Sequence, residues 1–240
     1  MIRCLAVVLC CLLVSNQAAG EEWAKMRERM VEEIASETYT TRQYLGKAEL
    51  DDKVMEAIGK VPRHEFVPLQ YQRDSYANQP LPIGEGQTIS QPFIVALMTD
   101  LLEVDETDSV LELGTGSGYQ AAVLSELVGH VYTIEIVESL GKQAQSRLLE
   151  LGYDNVHSRI GDGFYGWPEH APYDGIIVTA AGIGVPPELI KQLKTKGKLV
   201  IPVGEQHATQ HLMVITKNAD GSTTSKNVLP VRFVPITGEH

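Results

Sequence analysis

The stretch Val110-Leu111-Glu112-Leu113-Gly114-Thr115-Gly116-Ser117-Gly118 decides the fold. A largely apolar run enters three glycines at alternate positions. After a helix-length interval, Val131-Tyr132-Thr133-Ile134-Glu135 forms a second apolar run that ends on a carboxylate. Glycine lacks a Cβ, so the backbone can turn tightly here and come close to a ligand. Glu135 follows Gly114 by 21 positions, near the offset of about 20 residues that brings an acidic side chain to ribose hydroxyls. A nucleoside-bearing cofactor is therefore expected above these strand ends.

The glycine spacing selects among such cofactors. A dinucleotide fold needs G-x-G-x-x-G, with a helix N-terminus facing pyrophosphate. Here Tyr119 stands where the third glycine would fall, and no lysine follows to make a P-loop. Gly-x-Gly-x-Gly after a strand resembles the first motif of the S-adenosylmethionine-dependent methyltransferases, whose cofactor carries a sulfonium and an amino-acid tail in place of phosphate.

Outward from this motif, apolar runs predict strands at 110–113, 131–136, 156–160, 175–179, 198–202, 212–216 and 231–235. Helices are predicted at 119–128, 138–151 and 187–193. Alternating strands and helices define an α/β chain with a parallel, doubly covered sheet and right-handed crossovers. Asn218-Ala219-Asp220-Gly221 supplies turn residues between the last two strands, which predicts an antiparallel hairpin at the sheet edge. Upstream, Trp23, Met26, Met30 and Ile34 have helical spacing over 22–38, and a short helix is expected over 51–58. Ser90-Gln91-Pro92 reads as a helix start. The expected organisation is one compact domain: a helical cap and active-site segment over 21–105, then a cofactor-binding α/β core with a C-terminal hairpin over 106–240.

The chain has 240 residues, 43% of them hydrophobic, enough for one sizeable core. Its net charge of −11 and lack of any basic cluster argue against a nucleic-acid partner. Residues 1–20 differ from the rest. Arg3 is followed by an apolar run and then Ala18-Ala19-Gly20, a secretory signal pattern too short to span a membrane. All three cysteines, Cys4, Cys10 and Cys11, fall inside it, so a cleaved chain would have no disulfide and no thiol nucleophile. No metal site is expected: His64 beside Glu65 lacks a second ligand pair at suitable spacing.

Four segments make the resemblance specific: Val61-Pro62-Arg63-His64-Glu65-Phe66-Val67-Pro68, Gln87-Thr88-Ile89-Ser90-Gln91-Pro92, Gly161-Asp162-Gly163 and Val231-Arg232-Phe233-Val234-Pro235-Ile236. In that order around the glycine motif they resemble the protein-L-isoaspartate O-methyltransferases, from about residue 26 to the C-terminus. The resemblance implies a Rossmann-like class I methyltransferase fold, with a mostly parallel seven-stranded sheet, an antiparallel edge strand and an N-terminal helical cap. It also implies S-adenosylmethionine as methyl donor and isoaspartyl-containing proteins and peptides as substrates. Ser90 falls on the family's active-site serine, and Thr88 and Ile89 on its cofactor-facing neighbours. Gly114, Gly116 and Gly118 would wrap the methionine portion, Glu135 would hold the ribose, and Asp162 and Gly163 would contact adenine. Thr237 matches a further cofactor contact. Animal members carry a histidine where this chain has Val95, so that contact is missing here.

The residues suit this chemistry. An aspartate-type carboxyl, with a reference pKa of about 3.9, is already ionised at neutral pH and needs no general base. Ser90 would orient it by a hydrogen bond; no G-x-S-x-G elbow marks a covalent serine enzyme. Two other readings stay open at this level: a methyltransferase for a small-molecule acceptor, and a catalytically silent methyltransferase-like binding protein. A monomer with no lasting membrane association after signal removal is expected. Family resemblance and cofactor supply place it in the cytoplasm, whereas residues 1–20 point to export.

Overall fold

The computed structural model describes the backbone of residues 2–238 and the side chains of residues 20–238. The signal-like reading of residues 1–20, with its three cysteines, thus rests on side chains outside the described residues, Gly20 excepted. No helix among the described residues is long and apolar enough to cross a membrane.

Helix α1 (Ile2–Leu45) contains the predicted 22–38 segment and continues beyond it. Thr38 and Thr41, poor helix formers, turn their hydroxyls onto the carbonyls of Ile34 (2.9 Å) and Glu37 (2.7 Å). Gly46, at φ +77°, then ends the helix, its N–H donating to Arg42 O. Met30 and Ile34 are buried, while Trp23 and Met26 pack at the margin of the same core. Helix α2 (Asp52–Lys60) starts on Asp51, whose side chain accepts from Lys53 N. Two short 3-10 turns follow Pro62 and Pro68. Strands β1 (Leu81–Gly84) and β2 (Gln87–Ile89) make a small antiparallel hairpin, which delivers the chain into α3 (Pro92–Leu102).

The core alternates β3 (Ser109–Leu113), α4 (Tyr119–Ser125), β4 (His130–Glu135), α5 (Glu138–Glu150), β5 (Val156–Ile160), β6 (Tyr173–Val178), α6 (Pro187–Gln192) and β7 (Leu193–Val203). It ends in the hairpin of β8 (Gln210–Lys217) and β9 (Thr223–Val231). The seven strands lie in the order β5-β4-β3-β6-β7-β8-β9. All pairings are parallel except those of β8, which runs antiparallel to both β7 and β9. The mostly parallel sheet with an antiparallel turn-back at one end is therefore as expected. Val110, Leu111 and Leu113 of central β3 are all buried, because helices cover both faces of the sheet. Each such side chain contributes about 1.5–3 kcal/mol of burial.

One element is displaced from expectation. The last strand covers Thr223–Val231, not 231–235. Its first half, Thr-Thr-Ser-Lys-Asn, is exposed at the sheet edge and so carries little apolar signal. The apolar 231–235 segment instead leaves the sheet and pairs with the loop after β6: Ala181 N donates to Val234 O and Ile236 N to Ala181 O, both at 2.8 Å. That detour takes the C-terminal segment across the carboxyl ends of the parallel strands, where ligands bind in open α/β sheets.

Candidate active site

Beyond β3 the chain turns through Gly114 at φ +94°, and its N–H donates to Ile134 O at 2.9 Å. Thr179, just past β6, donates its hydroxyl to Leu113 O (2.9 Å) and Gly114 O (2.6 Å). A Cβ on Gly114 would collide with that hydroxyl, so the position requires glycine both for its φ and for the close approach. The loop is thus pinned between two strand ends before α4 begins.

Glu135 closes the other side of the loop. Its carboxylate is buried; Oε2 accepts from Gly116 N at 2.7 Å and Oε1 from Val137 N at 2.9 Å. A carboxylate offers about four acceptor positions. Two backbone donors leave part of that capacity unused on a carboxylate that lines the cleft.

Behind the loop, Glu112 Oε2 accepts from Thr133 Oγ1 (2.6 Å), which lies 2.6 Å from Thr115 Oγ1. Burial pushes the Glu112 carboxyl up to about 8, against the opposing Thr133 hydrogen bond and helped by the charge of Glu135. The protonated form of Glu112 is therefore favoured behind the loop, while Glu135 lines the cleft.

Ser90 stands at the turn between β2 and α3, half-buried. It is not the helix cap: Gln91 occupies the N-cap position, and Pro92 opens the helix. The turn is braced from α1. Glu37 accepts from Asn78 Nδ2 (2.6 Å) and Gln91 Nε2 (3.1 Å), while Asn78 Oδ1 takes the Phe93 N–H at 3.0 Å. At the opposite end, Gln210 exchanges two hydrogen bonds with the backbone of Phe233, at 2.6 and 3.1 Å, and so fixes the approach to Val234–Thr237.

These segments enclose one concave cleft with mixed apolar and polar walls, the general form of a small-molecule site. Thr88, Ile89, Ser90, Gly114, Gly116, Glu135, Gly163 and Thr237 all line it, as does Val95. Gly118 and Asp162 stand behind the wall. Gly118 is the N-cap of α4, and Asp162 Oδ1 accepts from Phe164 N at 2.9 Å, presenting Gly163 and Phe164 to the cleft. Asp174, in contrast, lies at the start of β6 and accepts from Ser109 N and Lys194 Nζ. His64 is a packing residue, stacked on Trp23 at 4.5 Å and bonded to Tyr76 Oη at 2.7 Å.

Several further cleft residues carry little signal in the sequence. Ile136 is exposed directly after the acidic strand end and offers an apolar surface beside Glu135. Phe164 and Thr179 also line the cleft. An apolar residue left exposed at a strand's carboxyl end was the available signal for Ile136; Thr179 had none, because its role appears only when β3 and β6 are neighbours.

A strand-end carboxylate, a glycine loop without a phosphate cradle and a Rossmann-like sheet define an S-adenosylmethionine-dependent methyltransferase. The residues suit that cofactor: Glu135 lines the cleft as an acceptor, the Gly114 turn has no room for a side chain, and among the described residues no Lys or Arg lines the cleft. The protein-L-isoaspartate(D-aspartate) O-methyltransferase family model matches residues 40–240, and the chain belongs to that family. Protein-L-isoaspartate O-methyltransferase 2 of Polaromonas sp. is 59% identical over 88% of this chain and 100% of its own length. Protein-L-isoaspartate O-methyltransferase 1 of Cupriavidus necator is 53% identical over 100% of this chain and 92% of its own. A solved protein-L-isoaspartate O-methyltransferase superposes with a TM-score of 0.72 at 31% identity, covering 85% of this chain and 66% of that one.

Proposed function

We propose that this chain transfers a methyl group from S-adenosylmethionine to the free carboxylate of L-isoaspartyl, and D-aspartyl, residues in damaged proteins and peptides. The observation that carries the reading is the convergence of the Thr88–Ser90 turn, the glycine loop and Glu135 on one cleft. Family membership and relatives at 53–59% identity favour this activity over a small-molecule acceptor or a silent binding protein.

S-adenosylmethionine, when bound, supplies an electrophilic methyl on a sulfonium. Glu135 would accept the ribose hydroxyls, and the Gly114–Gly118 loop would hold the amino-acid portion. Gly163, presented by Asp162, and Ile136 would hold the adenine. Ser90 Oγ would donate a hydrogen bond to the substrate carboxylate and so orient it for transfer. No proton need move, because the carboxyl is ionised at neutral pH. The chain's contribution is positioning, an effect worth up to about 7–11 kcal/mol where alignment is close. A backbone amide nitrogen of the substrate then closes on the ester carbonyl and expels methanol, giving a succinimide whose hydrolysis returns part of the material to normal aspartate.

In this reading residues 21–105 cap the cleft and carry the substrate-facing serine with its cofactor-facing neighbours Thr88 and Ile89, and residues 106–240 supply the rest of the cofactor site; the protein acts as a monomer. Ser90→Ala tests the assignment: methyl ester formation on an isoaspartyl peptide falls at least tenfold while S-adenosylhomocysteine binding is kept. Wild-type turnover in that variant removes Ser90 from the mechanism. Residues 1–20 carry an export pattern, whereas the cofactor is made in the cytosol. The N-terminal mass of protein recovered from separate cell fractions distinguishes a cleaved, exported chain from an intact cytosolic one.

A further inference from the structure

Arg63 heads the large side chains with no exposed surface, and among the described residues it makes no ion pair. Isolated buried charge is costly, so a guanidinium in such a place needs a reason. Its bonds go to main chain. Nε donates to Ser75 O at 2.8 Å, and Nη2 donates to Ser90 O at 2.6 Å. The guanidinium carbon lies 4.7 Å from the centre of the Tyr119 ring. Tyr119 is the first residue of α4, directly after Gly118, and lines the cleft.

One side chain therefore touches both walls of the site. On the cap side it holds the carbonyl of the serine that faces substrate, and on the core side it rests on the first residue after the glycine loop. We infer that Arg63 is a positioning residue for methyl transfer, fixing Ser90 relative to the glycine loop through the Ser90 carbonyl. The proposal rests on the Ser90 assignment above.

The chemistry explains why the cation is kept off the substrate. Methyl transfer from a sulfonium to a carboxylate consumes one positive and one negative charge. A cation paired directly with the carboxylate would be bound more strongly before transfer than during it, which slows the step. Arg63 does not line the cleft, so it orders the chain without clamping the anion. Burial lowers its pKa to about 10, opposed by Tyr119, so it stays charged at neutral pH. A planar fork can hold two carbonyls in fixed directions, and a lysine ammonium cannot reproduce that.

The test compares Arg63→Met, Arg63→Lys, Ser90→Ala and the Arg63→Met/Ser90→Ala double variant in the full chain. Each is assayed for kcat and KM on an isoaspartyl peptide and for S-adenosylhomocysteine affinity by calorimetry. Arg63→Met leaves no unpaired charge behind and keeps an apolar stem in the space, so it is expected to fold, less stably because Ser75 O and Ser90 O lose their donor. Its kcat should fall by about a hundredfold, the scale of an ångström-level misplacement, with cofactor affinity within about threefold of wild type. Arg63→Lys should recover only part of that loss. Because Arg63 acts through Ser90, the double variant should be no more than about threefold slower than the slower single variant.

Native kcat in folded Arg63→Met overturns the proposal. So do losses that multiply in the double variant, or a cofactor affinity that falls in step with kcat. If Arg63→Met fails to fold, Arg63→Lys carries the same comparisons and native kcat there is equally fatal. Ser90→Ala at wild-type turnover removes the Ser90 assignment and this inference together, whereas slow Ser90→Ala beside fast Arg63→Met removes this inference alone.

Discussion

Glu135→Gln separates two jobs done by one carboxylate. In the native chain both oxygens already accept backbone N–H groups, from Gly116 at 2.7 Å and Val137 at 2.9 Å. A glutamine has one carbonyl oxygen, so its NH2 must face one of those N–H donors. That leaves a buried donor unpaired, at a cost of about 1–3 kcal/mol whether or not cofactor is bound. For a domain of this size it lowers Tm by about 2–4 °C per kcal/mol. Binding loses more, because hydrogen bonds from ribose hydroxyls to a charged acceptor contribute about 1.5–3 kcal/mol each. A combined loss of roughly 3–4 kcal/mol predicts a fall in S-adenosylhomocysteine affinity of about 10²–10³-fold. Calorimetric titration gives the affinity, and thermal unfolding without cofactor gives the stability part. Affinity within threefold of wild type would refute the ribose assignment, even if Tm fell as expected.

Two further substitutions test the surrounding geometry. Gly114→Ala forces a side chain into φ +94° and against Thr179 Oγ1. The backbone strain of about 1–2 kcal/mol and crowding of about 1–3 kcal/mol predict a Tm lower by roughly 4–20 °C. Adding Thr179→Ala should restore only the crowding part, and full or absent recovery would contradict the contact. Glu112, with a folded pKa raised to about 8 from an ordinary carboxylate value, keeps its proton in the folded state while the unfolded chain releases it. Stability should therefore fall by up to a few kcal/mol as pH rises through about 4.5 to 8. Glu112→Gln should flatten that slope in denaturant titrations across the window, and an unchanged slope would count against a buried, protonated Glu112.

The central sheet was legible because buried parallel strands write themselves as apolar runs: 110–113, 131–136 and 156–160 lie within a residue or so of β3, β4 and β5. The glycine loop and Glu135 were legible for the same reason, since their spacing follows from strand and helix lengths. The final strand was not. Exposed Thr223 to Asn227 have no need of apolar side chains at an edge, and the apolar 231–235 run serves the loop at Ala181 instead. Helix α1 was underestimated because the hydroxyls of Thr38 and Thr41 find carbonyls on their own helix, a local rescue that propensity does not count. Ser90 could not be separated from a helix cap until Gln91 was seen at that position. The bracing by Glu37 and the reach of Arg63 join residues 54 and 27 positions apart in sequence, and no short-range pattern announces them.

The most direct test of the account incubates the purified chain with S-adenosylmethionine and a matched pair of peptides that differ only in carrying isoaspartate or aspartate. Base-labile methyl ester is followed on each. Ester is expected on the isoaspartyl peptide and none above background on its aspartyl twin. Equal methylation of both peptides, or of neither while the cofactor binds, would contradict the proposed activity.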